Sequence, residues 1–106
     1  MMHMAVEDHK ELAQQSLRLR SQEAELNRID TAFVAAAKAG TRLPSPSKIF
    51  GALTDASIVC AEVFDTYEAR PIPAKVQSGL MRLHCAMTDL TASLKLYAVL
   101  AVSKEN

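Results

Sequence analysis

The strongest constraint on the fold is a repeat of apolar side chains in the last third of the chain. Between residues 76 and 101, apolar residues recur at alternating spacings of four and three, which places them along one side of an α-helix. These residues are Val76, Leu80, Leu83, Met87, Leu90, Leu94, Tyr97 and Ala101. Beside this heptad stripe, Gly79, Ala86 and Ser93 recur every seven residues. Because small side chains let helices approach closely, the pattern predicts a helix over about 74–103 with tight antiparallel packing along that row.

Glycine and proline divide the rest of the chain into two further helices. Gly40 suits the left-handed conformation that ends a helix. Ser45 and Pro46 suit the cap and the first position of the next helix, which the stretch "RPIPAK" then ends. These signals predict helices over about 6–39 and 46–70. No alternating β-branched run or Asn-Gly turn indicates a strand, so we expect an all-α fold, a three-helix antiparallel bundle with a long N-terminal helix.

The second predicted helix carries a wide apolar stripe at spacings of three and four, which is typical of a helix that faces a core. The stripe consists of Ile49, Phe50, Leu53, Ala56, Cys60, Val63, Phe64 and Tyr67. In the first helix, the apolar residues concentrate in the C-terminal half, and Leu12, Leu17 and Leu19 stand among polar residues in the N-terminal half. We therefore expect the first three turns or so to extend beyond the bundle.

Length and charge restrict the class of protein. A chain of 106 residues builds a single hydrophobic core, so we expect one helical domain over 1–106 with a flexible start at 1–5. The 12 basic and 12 acidic residues balance, whereas nucleic-acid binding depends on a basic surface. No segment reaches the ~18 continuous apolar residues that span a bilayer, and no secretory signal precedes the helices. We expect a cytoplasmic protein that contacts neither nucleic acid nor membrane directly.

No pattern in the chain indicates catalysis or a bound cofactor. Cys60 and Cys85 are too few for a disulfide framework and lack the spacing of a metal knuckle. His84 and Cys85 are neighbours on a helix, so their side chains point about 100° apart and do not share one metal. No nucleophile triad or glycine-rich phosphate loop is present. We expect a protein that is not an enzyme and has no metal or cofactor.

The apolar residues that lie off the heptad stripe indicate a protein interface. A three-helix bundle buries one face of each helix, so further apolar side chains need another cover. The free energy gained by burying one small apolar patch barely offsets the free-energy cost of association. A two-fold dimer buries the patch of both copies and therefore gains more. We therefore expect a homodimer. The candidate interface residues, from the extended part of the first helix and the open face of the third, are Leu12, Leu19, Leu26, Met81, Leu96, Val99 and Leu100.

The stretch "ALTDASIVCAEVF" (52–64), between a Pro-Ser-Pro turn and a long Leu/Met heptad helix, resembles the QslA-type quorum-sensing anti-activators of bacteria. The resemblance extends over most of the chain in length and pattern. It implies a helical dimer that binds the autoinducer-binding domain of a LuxR-type transcription activator. Such proteins cover the surface through which the activator dimerises, so that it cannot hold its two-half-site operator.

Two other classes of protein fit the same pattern. The first is a small-molecule-binding bundle in which Phe64, Met87 and Tyr97 line a cavity. The second is a small dimeric adaptor or structural protein unrelated to transcription. Apolar helical surface is common to all three hypotheses, so the residues alone leave the choice open.

Overall fold

A computed structural model of the chain describes the backbone of residues 6–105 and the side chains of residues 9–96, 98 and 99. Within that part, the chain forms three α-helices and no strand: α1 (Val6–Ala39), α2 (Pro46–Thr66) and α3 (Ala74–Glu105). Every pair of helices is in contact, and the prediction of an all-α fold is confirmed. The expected flexible start at 1–5 lies outside the described residues. None of the described helices is long and apolar enough to cross a membrane.

The ends of the helices follow local backbone chemistry. Gly40 adopts a φ of 69° after α1, a conformation that glycine reaches without steric cost. At the start of α2, the Ser45 hydroxyl accepts a hydrogen bond of 3.2 Å from the Lys48 backbone N–H. α2 ends at Thr66, four residues before the predicted boundary. The reason is that the residue before a proline disfavours the helical conformation, and Arg70 precedes Pro71.

Ion pairs show that α2 runs antiparallel to α1. Arg18 in the middle of α1 pairs with Glu62 of α2. Seven residues earlier on α1, Glu11 pairs with Arg70, which lies eight residues after Glu62. The two ion pairs therefore show that α1 and α2 run in opposite directions.

By contrast, α3 runs parallel to α1. The Arg82 guanidinium lies 3.6 Å from the Glu23 carboxylate. Further along both helices, the Ser93 hydroxyl donates a hydrogen bond to Asp30. Residue numbers rise together along the two helices, as an up-down-up arrangement of three consecutive helices requires.

The row of small residues on α3 lies in the contact between α1 and α3. A Cβ added to Gly79 would lie 3.0 Å from Cδ1 and 3.4 Å from Cβ of Leu19, which is fully buried. Ala86 is also buried, and Ser93 is half-buried. The prediction of a close approach along this row is confirmed, but the predicted antiparallel direction is wrong because the neighbour is α1.

The N-terminal half of α1 is part of the core from Leu12 onward. Leu12 packs against the buried cluster, and Leu19 and Leu26 are fully buried. The expected extension beyond the bundle is therefore wrong for this segment, and so is the placement of Leu19 and Leu26 on an exposed interface. The physical reason is the parallel register: α3 begins at Ala74, five residues before Gly79, and so already covers α1 before Leu19.

The core collects apolar side chains from all three helices and from the turn after α2. Its buried members are Leu19, Leu26, Ile29, Phe33, Ile49, Ala56, Val59, Val63, Tyr67, Val76, Leu83, Ala86 and Leu90.

Two glycines inside helices allow a direct test of the close approach. Replacing Gly51 with Ala should raise the free energy of unfolding by about 1 kcal/mol, since no atom lies within 4 Å of the added Cβ. Replacing Gly79 with Ala gains the same helix propensity, but overpacking against Leu19 costs about 1–3 kcal/mol. We expect Gly79→Ala to be the less stable variant by that margin in urea unfolding. Equal stabilisation by both substitutions would contradict the packing of α3 on α1.

Candidate protein-interaction surface

A long apolar groove lies between α2 and α3. These two helices contact each other less than either contacts α1, so their outer edges stand apart. The groove has a volume of about 560 Å³. Phe64 of α2 and Leu80, Met81 and Met87 of α3 supply its apolar walls. Its size lies within the range of sites that bind another molecule, although it is open along its length.

On α2, the groove exists because two neighbouring rows of apolar residues cannot both face the core. Ile49 and Val63 are fully buried, whereas Phe50 and Phe64, each the next residue along, are 57% and 54% exposed. Adjacent residues on a helix point about 100° apart, and α2 meets its two neighbours on one side only. The prediction that Phe50 and Phe64 belong to the buried stripe is therefore wrong.

On α3, the heptad stripe divides between the core and the groove. Val76, Leu83 and Leu90 are fully buried. The alternate members Leu80 and Met87 are half-buried and line the groove. One side of the heptad stripe is therefore buried in the core, and the other side lines the groove.

The groove contains every sulfur-bearing side chain of residues 6–105. These side chains are Cys60, Met81, Cys85 and Met87. Thioethers are flexible and polarisable, so they adapt to partners of different shape. Burial raises the pKa of the Cys60 thiol, because it disfavours the charged thiolate. Among the described residues, no group of three or more His, Cys, Asp and Glu side chains is placed to hold a metal ion.

The outer face of α3 continues the apolar surface beyond the groove. Met81 is 71% exposed, Val99 is 60% exposed, and Leu96 lies beside this face with 49% exposure. All three lie off the heptad stripe, as the sequence pattern requires. The stripe along this face consists of Gln77, Met81, Cys85, Thr88, Ala92, Lys95 and Val99, in which Lys95 is the one charged residue. The side chain of Leu100, another candidate interface residue, lies outside the described residues.

The structure thus separates the candidate interface residues into three groups. Leu19 and Leu26 are core residues, and Leu12 is half-buried against the core. Met81 lies at the groove, and Leu96 and Val99 lie toward the end of α3.

The sequence analysis missed Phe50 and Phe64 as surface residues. A signal for them was present, because Phe50, Ser57 and Phe64 form a second heptad row beside Ile49, Ala56 and Val63. Two such rows carry more apolar surface than a helix of a three-helix bundle can bury on one side.

Comparison with known proteins identifies no relative of this chain. No family model matches the chain, and neither a curated protein nor a solved structure matches it. The function must therefore be argued from the surface itself and from the resemblance described above.

The division of α2 into a core row and a surface row can be tested with one pair of neighbours. Phe64→Asp should keep the helical circular dichroism signal and lower the free energy of unfolding by about 1–2 kcal/mol, because about half of the Phe side chain is exposed and the carboxylate lies near the C-terminus of α2. Val63→Asp places a carboxylate at a fully buried position and should cost about 3–5 kcal/mol. If Phe64→Asp loses helicity as Val63→Asp does, the assignment of the groove wall is wrong.

Proposed function

We propose that this protein is an anti-activator that acts by protein–protein interaction and is not an enzyme. In this proposal it binds the ligand-binding domain of a LuxR-type transcription activator in the cytoplasm. Binding covers the surface through which the activator dimerises, so the activator loses its hold on DNA. The observation that carries the proposal is the set of exposed apolar side chains on α3, Met81, Leu96 and Val99. The resemblance to QslA-type anti-activators supplies the class of partner.

The character of this face favours a protein partner. A helix recognises a groove or a dimer seam through apolar anchors at spacings of three and four, and Leu96 and Val99 have that spacing. The balanced charge of the chain is consistent with competition for a protein surface and offers no basic footprint for DNA.

The energetics favour a homodimer as the binding unit. Burying a side chain such as Leu96 or Val99 stabilises a complex by roughly 1.5–3 kcal/mol as an upper bound. Association costs about 4–15 kcal/mol before any net affinity results, so two or three side chains alone do not form a stable complex. A dimer that presents its apolar surface twice offers more area. We therefore include self-association in the proposal.

Co-purification with a LuxR-type activator tests the proposal. The expected result is a stable complex on gel filtration in which the activator has lost its own dimer and no longer shifts operator DNA. An activator that stays dimeric and DNA-bound at saturating amounts of this protein would overturn the anti-activator function. Self-association that persists in that case would favour the alternative of a dimeric helical adaptor.

A substitution at the end of α3 gives the residue-level prediction. Leu96→Glu should weaken binding of the activator at least tenfold, since it puts a carboxylate on the apolar contact face, and should preserve helicity because Leu96 is exposed. Ser21→Glu on the exposed side of α1 adds the same charge elsewhere and is the matched control. Affinities from titration calorimetry should separate the two variants. Equal affinities would remove Leu96 from the interface.

The groove supports a second candidate function, the binding of a small apolar molecule. Its volume of about 560 Å³ suits a drug-sized ligand, and both Phe64 and Met87 line it, as the sequence analysis expected. The side chain of Tyr97, the third expected lining residue, lies outside the described residues. A melting temperature that rises with the concentration of an apolar ligand, and fails to rise in a Met87→Glu variant, would favour this function.

A further inference from the structure

The charges of this chain balance in number but not in position. Residues 31–54 and 90–99 contain four lysine or arginine residues and no acidic residue. The four are Lys38, Arg42, Lys48 and Lys95. By contrast, residues 6–30 and 55–89 contain seven lysine or arginine residues and eleven acidic residues. The neutral chain therefore consists of one basic part and one acidic part.

The basic part lies at one end of the bundle. It comprises the last turns of α1, the turn that follows, the first half of α2 and the described side chains near the end of α3. The hydrogen bond from Ser93 to Asp30 places the later turns of α3 beside the later turns of α1. α2 begins only seven residues after α1 ends, so its first turns lie at this end as well. We call this end of the bundle the basic end.

The basic residues at this end differ from many of those elsewhere in their contacts. In the rest of the described chain, four basic residues pair with glutamates: Arg18, Arg28, Arg70 and Arg82. At the basic end, Lys38, Arg42 and Lys95 are exposed, and none of them forms an ion pair with another described residue. Their charge is therefore available to a second molecule.

Exposed apolar side chains lie at the same end, beside a shallow groove between α1 and α3. This second groove has a volume of about 420 Å³, and Asn27 of α1 and Asp89 of α3 are among the residues that line it. Val34 and Leu96 follow these two residues by seven positions, so they fall on nearly the same sides of their helices. They are 40% and 49% exposed. The line of the second groove therefore continues toward the basic end between two aliphatic side chains.

Lysines stand next to these aliphatic side chains on both helices. Lys38 follows Val34 by four residues on α1, and Val99 follows Lys95 by four residues on α3. Residues four apart are neighbours on the surface of a helix. We call the surface formed by Val34, Lys38, Lys95, Leu96 and Val99 the end surface. It combines exposed aliphatic side chains with one positive charge from each helix.

We propose that the end surface binds an amphipathic helix of a partner protein, and that the polar side of this helix is acidic. The apolar anchors of the helix cover Val34, Leu96 and Val99, and its carboxylates face Lys38 and Lys95. This proposal rests on the proposed function, which includes a partner contact at Leu96, and it names the chemistry of the surface that the partner presents.

Charge complementarity is the reason to choose an acidic partner. Protein interfaces place opposite potentials against each other, which speeds association and rejects partners of like charge. A basic partner would bring like charges together at an end where residues 31–54 and 90–99 offer no carboxylate to offset them. An acidic partner instead pairs with lysines that have no ion pair within the described part of the bundle.

The aliphatic side chains of the end surface favour a protein over a nucleic acid. Duplex DNA presents mainly charged phosphates to a protein, and these give Leu96 and Val99 no apolar cover. Proteins that bind single strands stack the bases on aromatic side chains, and the end surface contains none. A partner helix with apolar anchors at spacings of three and four covers aliphatic side chains and carries carboxylates beside them.

A designed peptide tests the proposal in the absence of any activator. The probe is a labelled helical peptide of about 20 residues, with leucines at spacings of three and four and with alanines and glutamates elsewhere. Fluorescence anisotropy should show binding that weakens about tenfold or more between about 0.1 M and about 1 M salt, because the Debye length falls from about 10 Å to about 3 Å. The same peptide with lysines in place of its glutamates should not bind.

The peptide result is separate from the test of the proposed function. Equal binding of the acidic and the basic peptide, or no binding of the acidic peptide, overturns the proposed chemistry of the partner. Co-purification with the activator decides the anti-activator function in either case.

Charge reversal locates the peptide on the protein. The double variant Lys38→Glu, Lys95→Glu should bind the acidic peptide about tenfold more weakly or worse, since it reverses the charge beside the apolar side chains. The matched control is Lys10→Glu, Lys75→Glu, which makes the same change at two exposed lysines near the starts of α1 and α3. The control should bind as the wild-type protein does. Equal loss in both double variants would contradict the proposed site.

Two substitutions at Leu96 separate the charge of the partner from its apolar contact. Leu96→Glu and Leu96→Lys remove the same apolar side chain and add opposite charges. Against an acidic helix, Leu96→Glu should bind more weakly than Leu96→Lys. The opposite order, or equal affinities, contradicts an acidic partner.

Three other acidic occupants of the basic end are outcomes of the same experiments. Duplex DNA or phosphatidylserine vesicles that bind more tightly than the acidic peptide, and lose binding in Lys38→Glu, Lys95→Glu, would assign this end to that partner and overturn the proposal. Self-association of the protein alone that disappears at high salt and in the same variant would assign it to the acidic part of a second copy, and would overturn the proposal as well.

Discussion

The contact of α3 with α1 at Gly79 and Leu19 is the interaction on which the rest of the structure depends. The missing Cβ of Gly79 lets α3 lie directly on the buried Leu19 side chain. The parallel course of the two helices then spreads this contact along most of α1. Because α1 also packs on α2, it serves as the common support of the other two helices.

The groove is a consequence of this division of contacts. α2 and α3 each direct their best-buried residues towards α1, so they meet each other along a narrower line. Phe64 and Met87 then remain partly outside the core. The stability of the fold and the presence of an apolar surface thus have the same origin, since a chain of this length has too few elements to cover both sides of every apolar helix.

The described residues of α2 and α3 carry exposed apolar side chains in two places. The groove is bounded by sulfur and aromatic side chains, and burial raises the pKa of the Cys60 thiol within it. The end of α3 presents Leu96 and Val99 at a distance from the groove.

The residues by themselves determine the helical class and most helix boundaries. Gly40 and the cap at Ser45 act through their own backbone chemistry, so they can be identified without knowledge of the neighbours. The end of α2 at Thr66 is less obvious from the pattern, because the apolar spacing continues to Tyr67 while the proline at 71 already restricts the chain.

Tertiary packing alone decided which apolar residues became core and which became surface. Val63 and Phe64 each belong to a heptad row that carries large apolar side chains, so periodicity does not show which row is buried. The position of α1 decides it. In the same way, the burial of Leu19 depends on the register between α1 and α3, which brings Gly79 against it. The sequence determined that apolar surface exceeds what one bundle buries, and only the packing of three helices decided where the excess lies.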